Sequence, residues 1–141
     1  MRVYFDASVI IAALLSPTGG STLLFTYLAR GRFKGFSSQT VIQEILGIHV
    51  QEKINTSKKE IEQFIARSSL LIQEEITPED IAVYENKVDY EDAHLIAGAH
   101  LTKCQYLVTL DKKHLLRADI QDKFLPLRIL SPKELLMILT A

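Results

Sequence analysis

The sequence predicts an α/β domain with a mostly parallel sheet and helices on both faces. Three observations lead there. Short β-prone apolar stretches alternate with helix-length amphipathic ones along the whole chain. Tyr106-Leu107-Val108-Thr109-Leu110 is apolar without alternation, as expected of a strand covered on both faces. The 141 residues, 48% apolar and 23% charged, are enough to enclose a core in one domain spanning 1–141.

The elements follow in order. Val3-Tyr4-Phe5 reads as the first strand and Val9 to Leu15 as an apolar helix. Ser16-Pro17-Thr18-Gly19-Gly20 breaks the chain. Ser21 is placed to cap a helix in which Leu23, Leu24, Tyr27 and Leu28 repeat at helical spacing, ending near Gly31. Lys34 to Ser37 reads as a second strand. Thr40 to Ile48 reads as a helix, with Thr40 and Gln43 in capping-box register. Ser57 to Ser69 is an amphipathic helix with Ile61, Phe64 and Ile65 on its apolar face. Leu70-Leu71-Ile72 is a third strand, and Thr77-Pro78 opens a helix with proline at its first position. Asp89 to Leu101 is another helix, Tyr106 to Leu110 the strongest strand and Leu127 to Leu130 the last. Ser131-Pro132-x-Glu134 caps a closing helix through Leu139.

Composition narrows the function. A single cysteine, Cys104, excludes a disulfide framework and fits a reducing cytoplasm. The longest apolar run, Val9 to Leu15, is far below the roughly 20 residues that span a membrane. Asp6 interrupts the stretch an export signal would need. A net charge of −1 argues against a broad surface gripping duplex nucleic acid. Lys112, Lys113 and Arg117 nevertheless cluster, as do Arg30, Arg32 and Lys34, either as solvated faces or as a basic lip for RNA.

In parallel α/β sheets, ligands bind beyond the carboxyl ends of the strands, where strand order reverses. Asp6 follows the first strand and Asp111 the strongest one. Ser8 and Thr109 each stand two residues from these acids, so an extended chain points each pair the same way. Each aspartate is equally suited to capping the helix that follows. Asp92 aligns with Leu95, Ile96 and Ala99 on an inward helix face, where a carboxylate needs a cation or donors. Asp89 lies nearly one turn earlier. Glu44 stands at the edge of the face formed by Val41, Ile42, Ile45 and Ile48, where taken alone it reads as a solvated glutamate. Converging carboxylates suit Mg²⁺ or Mn²⁺, which favour oxygen ligands and activate water for phosphodiester hydrolysis. Ser8 and Thr109 would orient those ligands. His49, His94, His100 and His114 show no ligand spacing and read as structural or surface residues. Gly19-Gly20-Ser21-Thr22 lacks the lysine of a nucleotide-binding loop.

Four segments together resemble the motifs of the PIN-domain family of metal-dependent ribonucleases. They are Val3-Tyr4-Phe5-Asp6-Ala7-Ser8, Gly35 to Ile45 with Glu44, Asp89 to Ala97 with Asp92, and Tyr106 to Leu115 with Asp111. The Ser16–Gly20 loop and Arg30-Gly31-Arg32-Phe33 resemble the branch that supplies toxins of toxin–antitoxin pairs. The resemblance implies a three-layer fold with five parallel strands in the order 3-2-1-4-5. It implies that Asp6, Glu44, Asp92 and Asp111 hold Mg²⁺ or Mn²⁺, with Asp89 as an outer member. Ser8 replaces the family's frequent asparagine, keeping the oxygen and losing the amide donor. The implied reaction is endonucleolytic cleavage of single-stranded or looped RNA to 5′-phosphate and 3′-hydroxyl ends. The implied partners are a small antitoxin and a second copy of the chain. The alternative is a catalytically silent module of the same fold that binds RNA or protein.

Overall fold

A computed structural model describes residues 1–141. Five parallel strands form one sheet: β1 (Arg2–Phe5), β2 (Lys34–Ser38), β3 (Leu71–Gln73), β4 (Tyr106–Val108) and β5 (Arg128–Leu130). Their order is β3-β2-β1-β4-β5, as the resemblance implies. Nine helices connect them: α1 (Ala7–Leu15), α2 (Gly20–Ala29), α3 (Gln39–Ile45), α4 (Ile48–Ile54), α5 (Lys58–Arg67), α6 (Pro78–Ala82), α7 (Tyr90–Leu101), α8 (Ala118–Lys123) and α9 (Pro132–Leu139). No single helix is long and apolar enough to cross a membrane.

Side-chain alternation in β1 defines the two helical layers. Phe5 points to one face, its ring 5.2 Å from Phe25 of α2, which in turn meets Phe64 of α5 at 5.2 Å. Tyr4 points to the other face, onto α7. Val3, Tyr4 and Phe5 are fully buried, so β1 is covered on both sides and forms the middle of the core. Because Asp6 is also extended, at φ −73° and ψ 154°, its side chain falls on the Tyr4 side, toward α7.

Five local expectations are corrected. Helix α2 starts at Gly20 with Gly19 as N-cap, not at Ser21, and the Thr22 hydroxyl donates to the Ser16 carbonyl, closing the preceding turn. The cap of α3 is Ser38, whose oxygen accepts from the Val41 amide at 3.2 Å. Thr40 instead accepts from the Ile76 amide at 2.9 Å, tying α3 to the segment after β3. The helix expected from Thr40 to Ile48 ends at Ile45, and α4 begins after Gly47. Sequence periodicity did not reveal α4, which has no buried residue, or the two-turn α8. Finally, β4 ends at Val108. Thr109 still donates its amide to Leu130 at 3.0 Å, but Leu110 turns outward and is exposed. The capping box at Ser131 and Glu134 forms as expected.

Gly98 sets how closely α7 approaches the sheet. A Cβ there would lie 2.3 Å from the Tyr4 hydroxyl and 2.4 Å from its Cζ. Tyr4 is buried and cannot swing away. Gly98→Ala is therefore expected to destabilise the protein even though alanine is favoured in helices by about 1 kcal/mol. Overpacking of this kind costs about 1–3 kcal/mol. A urea midpoint that stayed level or rose would refute this account of the contact.

Candidate active site

The register Phe5↔Val108 delivers Asp6 and Thr109 side by side as β1 and β4 leave the sheet. Strand order reverses between these two strands, so this is the crevice where parallel sheets bind ligands. Asp6 occupies the N-cap position of α1, yet its carboxylate makes no capping bond. Instead the Thr109 hydroxyl donates to Asp6 Oδ2 at 2.7 Å, and the Ser8 hydroxyl donates to the same oxygen at 2.8 Å. Ser8 Oγ accepts from the Leu110 amide at 3.1 Å, and Thr109 Oγ1 accepts from the Asp111 amide at 3.1 Å. The two hydroxyls thus cross-link the end of β1 to the chain leaving β4. Asp6 is 8% exposed, and burial raises its pKa, against the opposing effect of the Thr109 and Ser8 hydroxyls.

Asp111 uses its carboxylate differently. Its Oδ1 accepts from the amides of Lys113 at 3.1 Å and His114 at 2.9 Å, which caps the turn after β4. The His114 Nδ1 lies 3.3 Å from Asp111 Oδ2. The capping role that sequence alone leaves open therefore applies to Asp111 and not to Asp6.

Helix α7 supplies the facing wall. Every residue from Ala93 to Ala99 is buried, so the helix has no single inward face, and Asp92 lies at its half-buried mouth. Burial pushes the Asp92 carboxyl up to about 6, and the charges of Asp111 and Asp6 add to the effect. Asp89, the N-cap of α7, makes no side-chain capping bond and contributes a smaller push. His114 acts in the opposite direction.

Glu44, on α3, has a half-exposed side chain. Its Oε1 lies 2.5 Å from Nε2 of His94, one turn inside α7. The approach is off the hydrogen-bonding axis, so neither nitrogen of this buried imidazole has a well-formed hydrogen bond.

Asp6, Ser8, Thr109 and Asp111 are joined in one hydrogen-bonded unit, and Asp92 lies within electrostatic reach of Asp6 and Asp111. Glu44 approaches from the side through His94. The four acids do not form the tightest ligand set. That set is Asp89, Asp92 and His114, whose ligand atoms all lie within 4.8 Å of one another. Asp6 and Asp111 are each held by their own donors, and Glu44 lies against His94. Two residues of this constellation, His94 and His114, are missed by sequence reasoning. His94 has only its i+2 relation to Asp92 as a signal, and His114 only its i+3 relation to Asp111.

The donor set fits a hard divalent cation. The four acids offer the carboxylate oxygens such an ion favours, and the raised Asp92 pKa records first its burial and then the repulsion of Asp111 and Asp6.

The PIN-domain family model matches residues 2–113. No curated protein matches the chain by sequence. Among solved structures, PAE2754 from Pyrobaculum aerophilum is similar with a TM-score of 0.66 at 16% identity, covering 99% of this chain and 90% of that one. VapBC2 from Rickettsia felis, solved bound to a DNA fragment from their promoter, is similar with a TM-score of 0.61 at 15% identity. That alignment covers 93% of this chain and 98% of the other. These likenesses are likenesses of fold.

The Asp92 shift has a sign. Its folded pKa of about 6 exceeds the unfolded value of about 3.9, so between these pH values the folded state holds a proton the unfolded state has released. Stability of the metal-free protein should therefore fall as pH rises from about 4 to 6. Asp92→Asn should flatten this slope and raise stability at pH 7. Urea midpoints in EDTA across that range check it; equal slopes in both proteins would contradict the assignment.

Proposed function

Because the chain belongs to the PIN-domain family, we propose that it is a metal-dependent endoribonuclease and the toxin of a toxin–antitoxin pair. The observation that carries the reading is the carboxylate crevice at the β1–β4 switch point, with Asp6 buried and held by two hydroxyls and Asp92 facing it from α7.

Asp6, Glu44, Asp92 and Asp111 would hold Mg²⁺ or Mn²⁺, with Asp89 beside them. When bound, such a cation acidifies water and offsets charge on a phosphodiester in hydrolysis. The protein's own contribution is preorganisation. Ser8 and Thr109 occupy Asp6 Oδ2, fixing the carboxylate rotamer while Oδ1 has no side-chain donor. His94, buried in α7, stands against Glu44 and gives that half-exposed side chain a fixed neighbour. Ser8 supplies the oxygen contact for which the family often uses asparagine, so the missing amide does not disconnect Asp6.

The substrate assignment has its own support. A groove of about 420 Å³ adjoins the crevice through Leu110 and Lys112. Gly19 and Gly20 at the start of α2, Ser131 at the start of α9, and Lys133 also line it. No acidic residue lines this groove, and neither lysine is ion-paired. Two lysines and two helix starts suit the phosphates of a short strand. The chain's charge of −1 is then no obstacle, because divalent ions bound among the acids would offset their negative charge where a phosphate approaches. The same reading implies a small antitoxin protein and a second copy of the chain as partners.

Asp6→Asn or Glu44→Gln should lower RNA cleavage by about a hundredfold or more, and EDTA should abolish it until Mg²⁺ or Mn²⁺ is restored. Undiminished cleavage in EDTA sinks the metal-dependent reading. Growth arrest on expression, relieved by a protein encoded next door, tests the toxin role; normal growth would count against that role.

Lys112→Ala and Lys133→Ala should each weaken single-stranded RNA binding similarly across sequences. Each should also reduce the salt slope of log K by roughly 0.7–1. Fluorescence anisotropy at several salt concentrations measures this, and an unchanged slope would remove these lysines from the substrate path.

A further inference from the structure

We infer that Asp89, Asp92 and His114 form a transition-metal site selective for Co²⁺ and Mn²⁺ over Mg²⁺. This site shares Asp92 with the proposed nuclease centre, but it rests on its own geometry.

The three ligand atoms lie within 4.8 Å of one another, so a small rotation of the exposed Asp89 side chain would bring all three onto one ion. The His114 ring is set for this by its surroundings. Its Nδ1 lies 3.3 Å from Asp111 Oδ2, and its Nε2 lies 3.7 Å from Asp89 Oδ2. With the proton on Nδ1 and donated to Asp111, the lone pair on Nε2 is free on the Asp89 side. Metal-binding histidines are held in this way, by a carboxylate on the far nitrogen that fixes the tautomer and raises basicity. Asp111 is a firm anchor because its other oxygen is bound by the amides of Lys113 and His114. Neither Asp89 nor Asp92 has another side-chain hydrogen bond or ion pair that would hold it away from an ion. The group opens to solvent through a cleft of about 350 Å³ lined by Asp89 and His114, which gives an ion a route in.

The donor set determines the class of ion. Mg²⁺ favours an all-oxygen octahedron and retains its waters, whereas an imidazole nitrogen favours first-row transition metals, with Co²⁺ bound more tightly than Mn²⁺. Three protein ligands also leave coordination positions for water or a phosphate oxygen.

The test uses tag-free full-length protein. Co²⁺ is titrated by its visible ligand-field absorption, Mn²⁺ by loss of the free-ion EPR signal, and Mg²⁺ by competition against Mn²⁺. The wild-type protein is expected to bind Co²⁺ and Mn²⁺ at least tenfold more tightly than Mg²⁺. His114→Gln should weaken Co²⁺ by at least tenfold and alter its absorption band, leaving Mg²⁺ within twofold. His49→Gln, on an exposed histidine of α4, should change nothing. Asp6→Asn should retain the Co²⁺ band while removing RNA cleavage, which separates this site from the nuclease reading. An unchanged Co²⁺ band and affinity in His114→Gln would overturn the proposal. So would equal weakening of Mg²⁺ and Co²⁺, which would make His114 a general electrostatic contributor, or loss of the band in Asp6→Asn.

Discussion

The parallel pairing of β1 with β4 is the constraint on which the site depends. Matching Phe5 to Val108 makes the next residues, Asp6 and Thr109, neighbours across 103 positions of sequence. The hydrogen bond between them is buried and goes to a carboxylate, which places it among the stronger kind. Ser8 then closes a second link through the Leu110 amide. A one-residue slip in this register would send Asp6 against a different partner and leave a buried carboxylate without its donors, at a substantial cost. The register that completes the core therefore also assembles the crevice.

A second constraint acts at right angles to the sheet. Tyr4 and Asp6 share a face of β1, and that face looks onto α7. The absence of a side chain at Gly98 lets α7 settle against the Tyr4 ring, which sets the depth at which Asp92 and His94 enter. Asp92 stays half-buried with like charges around it, and His94 takes up the volume beside Glu44. The energetic tension of the site is thus built into its scaffold. The core packing holds carboxylates closer to one another than they would choose in water, which is the usual condition of a site made to meet a cation.

Much of this was legible in the chain itself. The strands stand out because a sheet covered on both faces demands unbroken apolar runs such as Val3-Tyr4-Phe5 and Tyr106-Leu107-Val108. Caps such as Ser131 and Thr77 are local bonds over three residues, so their sequence signatures carry through. Where a cap depends on distant chain, the reading fails. Thr40 has the right spacing to cap α3, but its hydroxyl is claimed by the Ile76 amide and Ser38 takes the capping role. Helix α4 has no buried residue, so no hydrophobic period marks it. The two histidines were invisible for a similar reason: imidazoles join a cluster through space, and neither ring stands at a metal-ligand spacing from another histidine or a cysteine.

The sequence by itself determined the α/β class, the strand-end positions of Asp6 and Asp111, and the helix that carries Asp92, because all of these follow from local periodicity and from residues within a few places of one another. The resemblance added the strand order. Only the tertiary structure decided how each carboxylate is used. Asp6 and Asp111 look alike as residues that follow strands, yet one is bound by hydroxyls in the core and the other caps a turn and holds His114. Which donor reaches which oxygen depends on the strand register and on the depth of α7. Both are set by packing between residues far apart in the chain, where no local pattern records them.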